Sequence, residues 1–174
     1  DERGRDTVYA CLEDPALPWL APVGRLDRAS EGLLLFANDP AWASRVTSPE
    51  TGPVKTYHVQ IDRVPDDALL AALVRGVVDD GERLAARSAT GLRAGAKHGW
   101  LEIVLDEGRN RQIRRLLAAL DVAVLRLVRV AIGPLALGAL PKGRWRRLTA
   151  AEVDALATVP SHGEAPARRS GRRP

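Results

Sequence analysis

Residues 24–36 constrain the fold more than any other stretch, because a charged, glycine-led loop there runs into an apolar segment. The apolar part, residues 33–37, predicts a short buried strand. Asp27 lies in the loop between Arg25 and Arg28, so the sequence places this carboxylate at the edge of a core. Neighbouring cations favour the ionised form of a carboxylate, which can then act as a nucleophile or base. A structural salt bridge is the alternative interpretation, and it is the commoner role of an isolated Asp–Arg pair.

The hydrophobic periodicities predict an α+β domain over residues 1–159. Strands are predicted at residues 33–37, 55–62, 100–105, 122–130 and 144–148, and helices at residues 40–46, 65–74, 112–120 and from 150 onward. These elements lack the regular βαβ alternation of a parallel sheet. We therefore predict a mixed, largely antiparallel sheet flanked by helices, followed by a disordered Arg-rich tail at residues 160–174.

Capping signals predict where three of these helices begin or end. Asp39 is the expected N-cap of the first helix, with Pro40 at its first helical position. Gly76 is expected to end the second helix. Thr149 and Glu152 have the spacing of a capping box that starts the last helix.

Composition excludes several classes of protein. With 174 residues, 45% of them hydrophobic, the chain can form one globular domain with a real core. Its single cysteine cannot form an internal disulfide, which fits a reducing compartment. No apolar run approaches the roughly 20 residues that span a bilayer. We therefore expect a cytoplasmic protein that does not enter a membrane.

Positive charge is concentrated in the second half of the chain. The net charge is +4, but residues 105–147 contain ten Lys or Arg against three Asp or Glu. Such a concentration indicates a polyanionic partner for this part of the fold. A solvated basic surface without a partner is the alternative.

Most familiar catalytic arrangements are missing from the sequence. The three histidines are isolated and form no cluster with the single cysteine, so we expect no metal site. No phosphate-binding loop of the Walker type is present, which disfavours nucleotide hydrolysis. Asp27 and Glu31 are four residues apart and could form the carboxylate pair of a glycosidase. That spacing is common, so the pair remains a weak alternative.

An arginine cluster at residues 108–115 provides the second candidate site. It coincides with the start of a predicted helix, where free backbone N–H groups already attract anions. Guanidinium groups added there would bind phosphates or carboxylates. Arg111 and Arg114 share one helix face, whereas Arg115 points elsewhere. The predicted substrate-binding residues of this cluster are Arg109, Asn110, Arg111 and Gln112; surface solvation is the alternative for each arginine.

Three blocks of sequence, taken in order, resemble one known family. They are GRLDRASEGLLLFANDP at residues 24–40, KTYHVQI at residues 55–61, and EGRNRQIRRLLAALDVAVLRLVRVAIGPLALGALPKGRWRRLT at residues 107–149. Together they resemble the RsuA/RluB/RluE/RluF family of ribosomal RNA pseudouridine synthases, over nearly all of residues 1–150. The resemblance is greatest to the RluE branch, which acts on large-subunit ribosomal RNA.

This resemblance implies the pseudouridine synthase fold and the conversion of a ribosomal RNA uridine to pseudouridine by a monomer, with no cofactor and no metal. Asp27 matches the catalytic aspartate of the family. Tyr57 matches the active-site tyrosine that stacks on the target base, and Arg114 the basic residue that pairs with the aspartate. Leu127 matches the hydrophobic residue that lines the pocket.

If Arg114 is the partner of Asp27, the flanking Arg25 and Arg28 are free to contact the RNA backbone. The chain also departs from the family pattern. The family's catalytic domain begins with a strand carrying a Lys-Pro pair, and this strand is expected to be absent because the chain starts at Asp1. A non-catalytic RNA-binding relative, truncated or decayed, therefore remains an alternative to the enzyme.

Overall fold

A six-stranded sheet lies at the centre of the structure, a computed structural model that describes residues 7–158. The described part contains the strands β1 (Ala21–Val23), β2 (Glu31–Gly32), β3 (Leu35–Ala37), β4 (Lys55–Ile61), β5 (Val77–Asp79), β6 (Glu82–Leu84), β7 (Ser88–Ala94), β8 (Gly99–Leu105), β9 (Val124–Ile132) and β10 (Leu135–Ala136). Its α-helices are α1 (Pro40–Thr47), α2 (Asp67–Arg75), α3 (Gln112–Ala118) and α4 (Ala150–Ala157). Within residues 7–158, no helix has the length and apolar character needed to cross a membrane.

The large sheet is antiparallel along the order β10-β9-β4-β8-β7. The short β2 joins β9 in parallel, with Glu31 opposite Val128 and Gly32 opposite Arg129. Two small antiparallel pairs, β1–β3 and β5–β6, complete the described strands. The sheet is thus mixed and largely antiparallel, which confirms the predicted α+β class. The predicted tail at residues 160–174 lies outside the described residues.

The central strand β4 alternates between two environments, as its sequence predicted. Val59 and Ile61 are fully buried, and they belong to the same core cluster as Leu73 of α2 and Leu116 of α3. The intervening side chains of β4 lie on the other face of the sheet. Tyr57 shares the buried face and packs against the edge of this core, half-exposed. The periodicity of the strand therefore fixes which way Tyr57 points.

A second core cluster joins α1 and α4 to the β1–β3 pair. Trp42 and Val46 of α1 are buried in this cluster together with Leu156 of α4. The indole Nε1 of Trp42 donates to the carbonyl of Val153 at 3.2 Å, so this large side chain is buried with its polar group paired. This cluster supports the strands on both sides of the loop that contains Asp27.

The three predicted helix ends are confirmed. The Asp39 carboxylate accepts backbone N–H groups from Ala41 at 2.9 Å and Trp42 at 3.0 Å, and Pro40 is the first residue of α1. Gly76 caps the end of α2 with a positive φ of 82°. The capping box that starts α4 is complete, with Thr149 and Glu152 bonding to each other's backbone N–H.

The predicted strand at residues 144–148 is wrong. This run has no regular secondary structure and joins no ladder among the described residues. Three of its five residues are arginines and only Leu148 packs against the core, so the run has no apolar face to bury against a sheet. Arg146 instead pairs with Glu152 at 2.7 Å.

The sequence analysis also missed the three strands between residues 77 and 94. Two of them, β5 and β6, form a hairpin whose turn residues Asp80 and Gly81 have φ values of 50° and 74°. An Asp-Gly pair favours this kind of two-residue turn, because both positions require positive φ. The Asp-Gly dipeptide was therefore the available signal. The strands β5 and β6 have only three residues each, and nearly all of β7 is exposed, so none of them gave a clear alternation to support it.

Gly32 is required where β2 approaches β9. A Cβ atom at this position would lie 2.3 Å from the carbonyl oxygen of Arg129, and φ is +110°. We predict that Gly32→Ala lowers the free energy of unfolding by about 3 kcal/mol, since it adds a backbone clash to conformational strain. Denaturant unfolding measures this change.

The matched control is Gly138→Ala. Gly138 also has a positive φ, 58°, but a Cβ there would meet nothing within 4 Å. We expect Gly138→Ala to lower the free energy of unfolding by about 1 kcal/mol, through conformational strain alone. Equal losses for the two variants would contradict the close approach of β2 to β9.

Glu152 makes stability depend on pH at the start of α4. Hydrogen bonds from Arg146, and then from the Thr149 backbone, lower the pKa of Glu152 from 4.5 to about 2. Because the folded state has the lower pKa, the stabilisation is complete above pH 5 and is lost as the pH falls towards 2. We predict that Glu152→Gln has a lower Tm than the wild type at pH 6, and that this gap closes by pH 2. Asp154→Asn, on the same helix, should show no such gap.

Candidate active site

A cavity of about 480 Å³ opens where several separate parts of the chain meet. The loop after β1 forms one wall, residues 105–113 form another, and inward-facing side chains of β4 and β9 form the floor. Eight of the ten predicted site residues line it: Arg25, Asp27, Tyr57, Arg109, Asn110, Arg111, Gln112 and Leu127. The other two, Arg28 and Arg114, are not among its lining residues.

The Asp27 loop is closed by a tight turn. The backbone N–H of Ser30 donates to the carbonyl of Asp27 at 2.8 Å, which puts Arg28 on the exposed corner of the turn. Arg25 is also exposed, whereas Asp27 itself is half-buried in the cavity wall. The arginines that flank Asp27 in sequence are therefore both exposed, and of the two only Arg25 is among the residues that line the cavity.

The Arg114 side chain supports the Asp27 loop by a hydrogen bond to the backbone of that loop. Its Nη2 atom donates to the carbonyl of Ala29 at 2.6 Å. Within the described part of the chain, no ion pair joins the Arg114 guanidinium to Asp27, so the expected pairing is not formed in this structure. From the first turn of α3, the guanidinium meets the carbonyl two residues after Asp27, and its charge strengthens that hydrogen bond.

Gln112 connects the segment before α3 to its neighbours. The residue is 2% exposed. It donates to the carbonyl of Ala85 at 3.1 Å and to Glu107 at 2.9 Å, and it accepts the Arg109 N–H at 3.2 Å. The Gln112 side chain thus forms its hydrogen bonds with other groups of the protein. Gln112 thus shapes one wall of the cavity.

Two arginines of the cluster bind carboxylates of the same chain. Arg109 pairs with Glu82 at 2.6 Å and Glu107 at 2.7 Å. Arg115 pairs with Asp79 at 2.6 Å and Glu82 at 2.7 Å. Hydrogen bonds from Arg115, and then from Arg109, lower the pKa of Glu82. A hollow of about 600 Å³ beside the β5–β6 hairpin is lined by these paired groups, which makes it an ion-pair network rather than a second open site.

Arg111 differs from its neighbours. It is exposed, it lines the cavity, and no ion pair engages it among the described residues. It occupies the N-cap position of α3 with a left-handed φ of 48° and makes no capping bond with its side chain. Arg109 is also exposed and lines the cavity, but its guanidinium is held by Glu82 and Glu107, whereas Arg111 has no ion-pair partner among the described residues.

Arg129 and Lys55 line the cavity but were not predicted as site residues. Arg129 is 6% exposed and lies on the same face of β9 as Leu127, two residues earlier. Lys55 likewise shares the face of Tyr57; burial, and then the charge of Arg129, lower the pKa of Lys55. The sequence contained a signal for both residues, because side chains two positions apart in a strand point the same way. Lys55 is two positions from Tyr57, and Arg129 is two positions from Leu127.

The glycosidase alternative lacks support from the geometry. Glu31 is absent from the cavity lining and forms an ion pair with Arg126. The hydrogen bond from Arg126 lowers the pKa of Glu31. A glycosidase needs the opposite shift in its general acid. Among the described residues, no group of three or more His, Cys, Asp or Glu side chains could hold a metal ion.

Comparison with known proteins identifies the family. Residues 8–119 match the family model described as RNA pseudouridylate synthase. The chain is 40% identical over 144 residues to ribosomal large subunit pseudouridine synthase E of Xanthomonas campestris, covering 74% of this chain and 77% of that one. It is 41% identical over 163 residues to ribosomal large subunit pseudouridine synthase B of Escherichia coli, covering 90% of this chain but 54% of that one.

Solved structures agree with these matches. A crystal structure of a pseudouridylate synthase superposes with a TM-score of 0.75 at 32% identity, covering 86% of this chain and 65% of that chain. The archaeal box H/ACA sRNP Nop10–Cbf5 complex matches with a TM-score of 0.51 at 18% identity, which supports the fold alone. These findings confirm the resemblance and the fold expected from it. The chain therefore belongs to the RNA pseudouridylate synthase family.

Proposed function

We propose that this protein isomerises a uridine of large-subunit ribosomal RNA to pseudouridine, with Asp27 as the catalytic carboxylate. The observation that carries the proposal is the cavity itself, which brings Asp27, Tyr57 and Leu127 together from three distant segments. The names of the relatives, ribosomal large subunit pseudouridine synthases E and B, support the choice of RNA.

The reaction makes two demands on the site. The bond from N1 of uracil to the ribose C1′ breaks, the base turns, and C5 bonds to C1′ while it loses its proton and N1 gains one. A carboxylate must reach the reacting nucleotide, and the walls must retain the free base. Asp27 in the cavity wall meets the first demand, and Leu127 and Ile113 provide apolar surface for the second.

Tyr57 is the platform for the target base. Extruding a nucleotide from its stack costs a few kcal/mol. Stacking on an aromatic ring returns about 1–3 kcal/mol. Tyr57 is half-exposed on the cavity floor, so one face of its ring can be offered to a base. The cavity thus offsets much of the cost of extrusion.

The rim provides the contacts to the RNA backbone. Arg25 and Arg28 are exposed on either side of Asp27, and Arg111 is exposed across the cavity. Guanidinium groups at these positions bind phosphates without selecting a sequence. Asn110 is exposed beside Arg111 and adds a neutral donor. We propose that the protein acts in this way as a cytoplasmic monomer, without a metal or cofactor.

The catalytic assignment of Asp27 is tested by tritium release from ribosomal RNA that contains 5-tritiated uridine. We predict that Asp27→Asn abolishes release while the Kd for RNA stays unchanged, because the amide keeps the shape but loses the carboxylate. Glu31→Gln is the control and should retain release, whereas a glycosidase would depend on Glu31. Binding without release by the wild-type protein would instead favour a non-catalytic RNA-binding relative.

The rim assignment is tested by the salt dependence of RNA binding. We predict that Arg111→Gln reduces the slope of log K against log salt by about one, as expected for one lost phosphate contact. Arg115→Gln is the matched control in the same cluster, since its guanidinium already pairs with Asp79 and Glu82. An equal reduction for both variants would contradict the distinction between them.

A further inference from the structure

Arg129 is a buried cation on the inward face of β9, 6% exposed, beside the pocket residue Leu127. Burying a guanidinium is unfavourable unless hydrogen bonds compensate for lost hydration. The nature of those bonds therefore indicates what Arg129 does. Both of its side-chain bonds go to backbone carbonyls of a single segment.

That segment contains Asp27. The Arg129 Nη1 atom donates to the carbonyl of Arg25 at 3.2 Å, and Nε donates to the carbonyl of Leu33 at 2.7 Å. These two carbonyls lie on either side of Asp27 in sequence. One rigid guanidinium thus bonds to the chain before and after the carboxylate.

The backbone of Arg129 reinforces the same contact. Its carbonyl accepts the Leu33 N–H at 2.9 Å, directly after the parallel pairing of Gly32 with Arg129. The far end of the segment is thereby fixed to a long strand of the main sheet. The near end, at Arg25, is fixed by the hydrogen bond from the Arg129 side chain. A substitution of Arg129 therefore removes or weakens this bond.

We propose that Arg129 is a positioning residue that holds Asp27 in its working place, an inference that rests on the proposed function. The planar guanidinium suits this role because its nitrogens diverge at fixed angles. A lysine would keep the charge, but its single ammonium cannot reproduce that fixed two-nitrogen geometry. Arg129 thereby acts on the reaction through Asp27.

One nitrogen of Arg129 supports a role beyond stability. Nη2 is buried and has no hydrogen-bond partner among the described residues. Native proteins keep few such groups, and those that persist often lie at functional sites. The cavity also places the positively charged Lys55 near Arg129, and their mutual repulsion opposes stability. A buried arginine beside Lys55 therefore makes an unfavourable contribution to the free energy of folding. The hydrogen bonds that Arg129 donates to the carbonyls of Arg25 and Leu33 explain why an arginine lies here.

The test compares Arg129→Lys with Arg126→Lys. Arg126 lies on the same strand, is largely exposed, and binds the carboxylate of Glu31, a contact that an ammonium can also make. Three measurements are made on each variant: the single-turnover rate of tritium release, the Kd for the same RNA, and hydrogen exchange of a peptide covering residues 25–33.

We expect Arg129→Lys to lower the single-turnover rate by about 100-fold, since a small misplacement of a reacting group has that effect. The Kd should be unchanged, and exchange in residues 25–33 should become faster. Arg126→Lys should match the wild type in all three. In Arg129→Ala, added methylguanidinium should restore part of the rate, and this variant decides the matter if Arg129→Lys does not fold.

Three results would overturn the inference: a wild-type rate for Arg129→Lys, a weaker Kd with no change in rate, or unchanged exchange in residues 25–33. The failure of the proposed function is a different result. It would be seen as no tritium release by the wild-type protein, and hydrogen exchange would then still decide whether Arg129 fixes the segment around Asp27.

Discussion

The contact between the Asp27 segment and β9 is the constraint on which the rest of the site depends. The backbones can approach because Gly32 has no side chain where it faces Arg129. The approach allows parallel pairing, and the buried guanidinium then reaches the carbonyls of Arg25 and Leu33. Since β4 lies next to β9 in the sheet, the same geometry brings Asp27 to the cavity that Tyr57 lines. The position of the Asp27 segment therefore depends on sheet pairing and on the hydrogen bonds that Arg129 donates.

Arginines in this protein serve two separate purposes. Arg109, Arg114, Arg115 and Arg129 bond to carboxylates or carbonyls of the protein, and so they organise the walls of the cavity. Arg111, by contrast, is exposed and has no ion-pair partner among the described residues, which is why we propose it as a contact to RNA. The net charge of residues 105–147 consequently overstates the charge that RNA can meet, because the acidic β5–β6 hairpin neutralises part of it.

The sequence predicted the elements whose signals are local. Asp39 and Thr149 marked helix starts through their own hydrogen bonds, and the alternation around Val59 marked the central strand. Contacts between residues that are far apart in the sequence left no such local signal. The run at residues 144–148 resembled a strand but has no partner in the described sheet. Motifs identified eight of the residues that line the cavity, whereas the bonds of Arg114 to Ala29 and of Arg129 to Leu33 depend on tertiary structure.

The separation of Leu33 and Arg129 along the chain, 96 residues, has a consequence for how the protein is made. During synthesis, the Asp27 segment leaves the ribosome long before β9 exists to pair with it. Contacts of such long range form late, because the loop between them must first be closed. The carboxylate loop of the nascent chain therefore has no partner strand while the segments of α1 and α2 have already been synthesised. Catalytic geometry then arises only when the last long strand of the sheet is added.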